Sequence, residues 1–240
     1  MKNHSSPRIA FSALASLFLA AAPARAAVTF LNGFTGSVSE VNSTSELAYA
    51  ANVSSTDLLN GKVPAITGWN LTNGAHPNEL TDGVHGATFA AAGNLVDGGW
   101  TTVGATATYD LGGGANGLGY DITSLQSIAA WVDVRFGNQA WTVAVRPVGS
   151  ISFTDLATIN YQPLTAGGAT QVSLTGLNVT GVNAIRFTAL QVNGGTNAGA
   201  FVPREIDVFG ASTVPEPGAA LLGALGTLLL VKRRRVSNAR

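Results

Sequence analysis

The chain has no cysteine, and Asp, Glu, Lys and Arg together make up only 11% of its 240 residues. Without cysteine there is no disulfide framework, no thiol nucleophile and no thiolate metal site, so the fold rests on its core, or on core plus an oxygen-bound metal. Also missing are a Gly-x-Ser-x-Gly elbow and a His-Glu-x-x-His helix, which removes two common hydrolase signatures. Cations are scarce as well. Residues 27–210 hold Lys62, Arg135, Arg146, Arg186 and Arg204 against twelve acids, a net charge of −7, while the whole chain sums to zero. A body so poor in Lys and Arg does not suit nucleic acid, which needs clustered positive charge. At about 180 residues it is long enough for one domain that buries roughly 70% of its unfolded surface.

The remaining cations sit at the two ends. Lys2 and Arg8 precede an uncharged Ala-, Leu- and Phe-rich run over 9–22, and Ala24-Arg25-Ala26 forms an A-x-A cleavage pattern. Residues 1–26 therefore read as a signal peptide with a helical apolar segment. At the other end, residues 212–217 carry Val214-Pro215-Glu216-Pro217, residues 218–231 carry no charge, and residues 232–240 open with Lys232-Arg233-Arg234-Arg235. As a helix the apolar run is roughly 21 Å long, short against about 30 Å of hydrocarbon, but the basic cluster snorkels to the headgroups. A basic C-terminus stays on the cytoplasmic side, so the two ends describe one topology with the body outside the membrane. The two prolines keep the approach extended and display Glu216.

This tripartite tail resembles the PEP-CTERM sorting signal of exopolysaccharide-producing Gram-negative bacteria. The resemblance implies an exosortase as processing partner, a membrane tether through the C-terminal helix before processing, and delivery to the cell surface or extracellular matrix.

Between the ends the pattern is strands and turns. Residues 28–34 and 46–53 are short apolar-polar segments that read as strands, and 63–99 is rich in Gly, Asn, Asp and Pro, the chemistry of a long loop and the place to look for a site. Ala105, Ala107, Tyr109 and Leu111 alternate with Thr106, Thr108 and Asp110, the period of a half-buried strand. Residues 127–136, the turn Gly137-Asn138 and the alternating run from Trp141 read as a hairpin. Segments 150–160, 170–174, 183–192 and 204–209 complete eight to ten strands at the spacing of a β-sandwich over 27–211. The repeat Thr175 to Ala184 reads as a turn between two of them.

Leu80-Thr81-Asp82-Gly83, then Trp100, then Ala107-Thr108-Tyr109-Asp110-Leu111-Gly112, Trp141-Thr142-Val143 and finally Arg204-Glu205-Ile206-Asp207-Val208-Phe209-Gly210 resemble, in order and spacing, the galactose-binding-like (discoidin) jelly roll. That resemblance implies an all-β jelly-roll sandwich, carbohydrate binding and a calcium ion held by Asp82, backbone carbonyls and Glu205. The stretch 27–78 is longer than the family's usual opening.

Several side chains remain open to more than one reading. Trp69 and Trp100 border the loop region, as a stacking platform for a sugar or as packing; Trp131 and Trp141 lie in strand patterns and read as core. His76 and His85 lie within ten residues of Asp82. On one reading they meet Asp82 in a catalytic, ligand-binding or metal cluster; the simpler reading is two solvated loop histidines. Glu79, Asp82, Asp97 and Glu205 are the carboxylates from which a glycosidase pair would have to come. The expectation is a non-enzymatic binding module for extracellular polysaccharide, with a ligand-free structural matrix protein as the rival and a glycan-active enzyme as the weakest alternative.

Overall fold

Strand β7, Gly168–Ala189, belongs to both layers of the fold. Its first half pairs antiparallel with β1 (Ala27–Asn32) on one side and β4 (Tyr120–Trp131) on the other, and β4 in turn pairs with β8 (Pro203–Ser212). Its second half pairs with β3 (Trp100–Asp110) and β5 (Gln139–Pro147), which carry the outer strands β2 (Ala65–Asn70) and β6 (Thr154–Tyr161). The layers are thus β1-β7-β4-β8 and β2-β3-β7-β5-β6, all antiparallel. The computed structural model describes residues 26–33, 48–71, 76–86, 100–131, 135–192, 201–215 and 225–226.

One apolar core lies between the layers. Ala105, Ala107, Tyr109 and Leu111 are at most 4% exposed, while Thr106 and Thr108 between them are half-buried, as the alternation predicts. Phe187 sits edge-on to both Tyr109 and Trp141, with ring centroids 6.2 and 5.6 Å away. Trp131 and Trp141 are both buried. A polar knot crosses the core near one end: Gln139 Oε1 accepts the Ser127 hydroxyl and the Trp141 Nε1–H (2.9 Å), and Gln139 Nε2 donates to Thr170 Oγ1 (3.0 Å). It joins β4, β5 and β7, and every member is buried.

Four local expectations fail. Residues 170–174 and 183–192 are not separate strands joined by a turn. The repeat between them stays in the ladder and bends the strand from one layer to the other, which Gly176, Asn178 and Gly181 permit at φ of 70°, 46° and 69°. The segments 127–136 and 141 onward do not pair as a hairpin. β4 and β5 lie in different layers, because Asn138 holds the β6–β7 connection instead: its Nδ2 donates to Leu164 O at 3.0 Å, and Leu164 N–H donates to its Oδ1 at 2.8 Å. Within 46–53, residues Ala50–Asn52 form a 3-10 turn rather than a strand, and Asn52 there bonds sideways to Gln171. The long loop of 63–99 contains β2, which pairs with β3 around a bulge at Gly68, and a 3-10 turn at Pro77–Thr81.

The signal segment 1–26, except Ala26, lies outside the described residues, as do Glu216, Pro217 and Lys232 to Arg235. Val214 and Pro215 are described and exposed, and Leu225-Gly226 is helical. Among the described residues no helix is long and apolar enough to cross a membrane.

Candidate functional site

The outward face of β8 and β4 is not solvated. Residues 52–62 and the turn Pro77–Thr81 cover it, and the side chains beneath are polar. Along β8, Ile206 and Val208 point into the core, so Glu205 and Asp207, two apart on a strand, share the opposite face. They are 1% and 0% exposed. Asp207 Oδ2 accepts Gln126 Nε2 (2.6 Å) and the Ser54 N–H (3.2 Å), and Gln126 Oε1 accepts Gln171 Nε2 (2.8 Å). Asn52 closes the chain: its backbone carbonyl accepts Gln126 Nε2 and its Nδ2 donates to Gln171 Oε1, both at 2.6 Å.

Asp57 ties the covering segment to the strand. Its Oδ1 accepts the N–H groups of Leu59 (2.7 Å) and Val208 (3.2 Å), and the Leu58 N–H donates to Val208 O (2.7 Å). Asp57 and Asp207 face each other, and Asp57 Oδ2 and Asp207 Oδ1 have no donor. Burial, reinforced by the Asp57 charge and opposed by the Gln126 donor, pushes Asp207 up to about 6, and burial also raises Asp57.

Glu205 stands beside them. Its Oε1 accepts the Gly83 N–H at 3.2 Å, while its Oε2 is buried without a partner. Burial first, then the charges of Asp207, Asp82 and Asp57, push its carboxyl up to about 9. Gly83 has φ of +78°, and a Cβ there would lie 2.8 Å from Ser55, so the residue must be glycine for the loop to reach Glu205. Asp82, at the surface, accepts the Val84 N–H at 2.9 Å in an Asx turn. The turn that carries Asp82 is thus joined to Glu205 through the Gly83 N–H, with Glu205 buried and the Asp82 carboxylate at the surface.

The two histidines part company. His76 is exposed and opens the 3-10 turn, its N–H bonded to Glu79 Oε2 at 3.3 Å. His85 is half-buried with Nε2 unpartnered, and burial, then the neighbouring Arg204 charge, lower it to about 4, so it is neutral at pH 7. Of the glycosidase candidates, Glu79 caps that turn, Glu205 is enclosed, and Asp97 lies outside the described residues.

Trp69 lies at the far edge of the other layer. Its Nε1–H donates to Thr106 O (2.9 Å), and its ring forms a wall between two spaces. Inward is an apolar slot lined by Ala105, Trp141, Phe187 and Phe201; outward is an open hollow of Gly68, Trp69, Asn70, Leu71 and Thr102. Trp100 opens β3 opposite Asn70, and its side chain lies outside the described residues. Among the described residues none that line the hollow is charged. Leu71 and Thr102 were not singled out by sequence, and Asn70 drew notice only as a chance N-x-[ST] match; the signal for them was that Asn70-Leu71 follow Trp69 and Thr102 follows Trp100 by two. Asp57 and Asp207 were missed too, although Asp207 stands two residues from Glu205 with Ile206 between, a spacing that puts both acids on one strand face.

No family model matches the chain, and no curated protein matches it. Among solved structures the chain is similar to the module CBM32-3 of a family 31 glycoside hydrolase from Clostridium perfringens, at 17% identity over 67% of this chain and 97% of that one, with a TM-score of 0.43. It is similar to CpGH89CBM32-5 from Clostridium perfringens, solved in complex with GalNAc-β-1,3-galactose, at 15% identity over 62% and 95%, with a TM-score of 0.41. A fucolectin from striped bass (Morone saxatilis) serum is similar at 13% identity over 64% of this chain and 48% of that one, with a TM-score of 0.40.

Proposed function

We propose that the chain is an exported, non-enzymatic β-sandwich of the galactose-binding-like type that binds neutral carbohydrate in the extracellular matrix. The observation that carries this reading is the uncharged hollow at Trp69, Asn70, Leu71 and Thr102 on an edge strand. An aromatic ring, an amide and a hydroxyl around an open concavity suit a sugar, which presents an apolar ring face and hydroxyl groups and no charge. Binding rather than hydrolysis is supported by the placement of the acids: Glu205 and Asp207 are buried, Asp207 under Ser54, and neither is among the described residues that line that hollow.

Calcium belongs to the same proposal as a structural ion. Glu205 Oε2, buried and without a donor, fits an oxygen-seeking cation, and Asp82 adds to the negative charge there. Among the described residues no three His, Cys, Asp or Glu side chains are arranged around a common point, so backbone carbonyls must supply the other ligands. The ion would tie the Asp82-Gly83 turn to β8.

Export and sorting are proposed from the ends: signal cleavage after Ala26, recognition of Val214-Pro215-Glu216-Pro217 by an exosortase, and retention by Lys232 to Arg235 until processing. A second reading, a structural matrix protein, is favoured by β1, an uncharged edge strand whose Val28, Phe30 and Leu31 are 41–42% exposed and suited to strand addition. A glycan array with the full chain separates the readings. Saturable binding of neutral oligosaccharides, lost in Asn70→Ala and without release of reducing ends, supports the proposal; no binding on the array rejects it.

A further inference from the structure

The outward face of the β2-β3-β7-β5-β6 layer carries two features that the hollow does not use. One threonine from each strand falls in register across it: Thr67 faces Thr106, Thr106 faces Thr188, Thr188 faces Thr142, and Thr142 faces Thr158. In the adjoining rows stand Arg186, between Thr108 and Ala144, and Arg146, opposite Ala184. Both guanidiniums converge on Phe153, with Cζ atoms 4.4 Å (Arg186) and 5.5 Å (Arg146) from the ring centroid.

These are two of the five cations in an acidic body, placed beside each other, and among the described residues neither is held by a carboxylate. Arg146 Nε donates to Asn183 Oδ1 at 2.9 Å, and Arg186 Nε is buried with no acceptor. Packing against Phe153 accounts for the stems and faces of these side chains. It does not account for pairing like charges when Asp110 and Asp155 stand exposed in the same two rows. A bound anion accounts for the pairing, because the outer N–H groups of two guanidinium forks match a carboxylate.

The geometry points to an acidic-sugar subsite on this face: Arg146 and Arg186, braced by Phe153, take the carboxylate of a uronic acid residue, and the threonine row takes the hydroxyls of the sugars beside it. Asp110, Asp155 and the net charge of −7 repel a chain charged at every residue. The class that fits is a glycan in which acidic residues alternate with neutral ones. The subsite is separate from the hollow at Trp69, so each can fail without the other.

The test uses the full chain and two probes: an oligosaccharide alternating glucuronate with a neutral sugar, and the same oligosaccharide with its carboxyls reduced to alcohols. The acidic probe should bind about tenfold more tightly and lose that advantage as salt is raised. Arg146→Gln and Arg186→Gln should each remove the advantage without changing the affinity for the reduced probe, and Asn70→Ala should leave it intact. Equal affinity for the two probes, or glutamine variants that keep the preference, overturns the assignment. Should either variant misfold, the arginine Nε–H resonances of the unaltered protein decide the matter. Shifts of Arg146 and Arg186 with the acidic probe alone support the subsite, and unmoved resonances at saturation refute it.

Discussion

Glu205 Oε1 accepts the backbone N–H of Gly83 at 3.2 Å, across 122 residues of sequence, and this single bond fastens the Asp82-Gly83 turn to the strand that closes one layer. The bond exists because Gly83 holds φ of +78° within 2.8 Å of Ser55, measured from where a Cβ would stand. Gly83→Ala should therefore cost about 1–3 kcal/mol, through backbone strain and a displaced turn. Chemical unfolding checks it, and a variant as stable as the parent would show that the turn relaxes freely.

Calcium should raise the thermal midpoint of the chain over that in excess chelator, since an ion that binds only the folded state stabilises by mass action. Glu205→Gln, which keeps the shape and removes the charge, should abolish the difference. Equal midpoints with and without calcium reject the site.

In chelator, stability should fall as pH rises. Glu205 is pushed up to about 9 from 4.5, and Asp207 to about 6 from 3.8. The folded chain therefore holds protons that the unfolded chain has released. The contribution of the two acids is full below pH 4, declines through pH 6 as Asp207 ionises, and declines further toward pH 9 as Glu205 does, while His85, lowered to about 4, works the other way below about pH 6.5 and offsets part of it there. Unfolding at pH 5 and pH 8 should differ in favour of pH 5 by on the order of 1 kcal/mol or more. Glu205→Gln should flatten the upper part of the curve. A flat profile in the parent would mean that the acids are solvated in solution.

The alternation in β3 and the burial of Trp131 and Trp141 were legible because they depend on one strand and one face. Pairing was not. Whether Gly137-Asn138 closes a hairpin depends on a side chain bonding to Leu164, 26 residues away, and nothing local announces that. Glycines in the repeat at 175–184 signal a turn and a strand corner equally well, and only the second layer decides between them. At the site, Asp82 and Glu205 were named through motif order, whereas Asp57, Gln126 and Gln171 are ordinary residues whose role comes from being covered by the same segment. Buried polar networks carry no periodic signature, so they are visible only once the chain has folded over them.

Gln139→Leu should destabilise more than a typical core substitution of like volume. It strands the Trp141 Nε1–H and the hydroxyls of Ser127 and Thr170 inside the core without their amide partner. Each buried group left unsatisfied costs about 1–3 kcal/mol, although the Thr170 hydroxyl keeps Gly137 O as an acceptor. Denaturant unfolding should show a loss of roughly 2–4 kcal/mol. A loss below about 0.5 kcal/mol would mean that water or rotamer change repairs the knot.

The ends predict what is recovered from a host that has the sorting enzyme. Val214 and Pro215 are exposed just beyond β8, so the motif begins where the folded body stops and an enzyme can reach it without unfolding a strand. The mature protein should run from Ala27 to the neighbourhood of Pro215. The cations of the tail would be gone from it, leaving the net charge of −7 carried by the body. Intact mass of surface-extracted protein decides this, and a mass retaining Lys232 to Arg240 would refute sorting. Deleting Lys232 to Arg235 should leave export intact and loosen membrane retention, because a 14-residue apolar run is shorter than the hydrocarbon layer and depends on basic residues to reach the far headgroups. Full retention in the truncated chain would assign the anchor to some other segment.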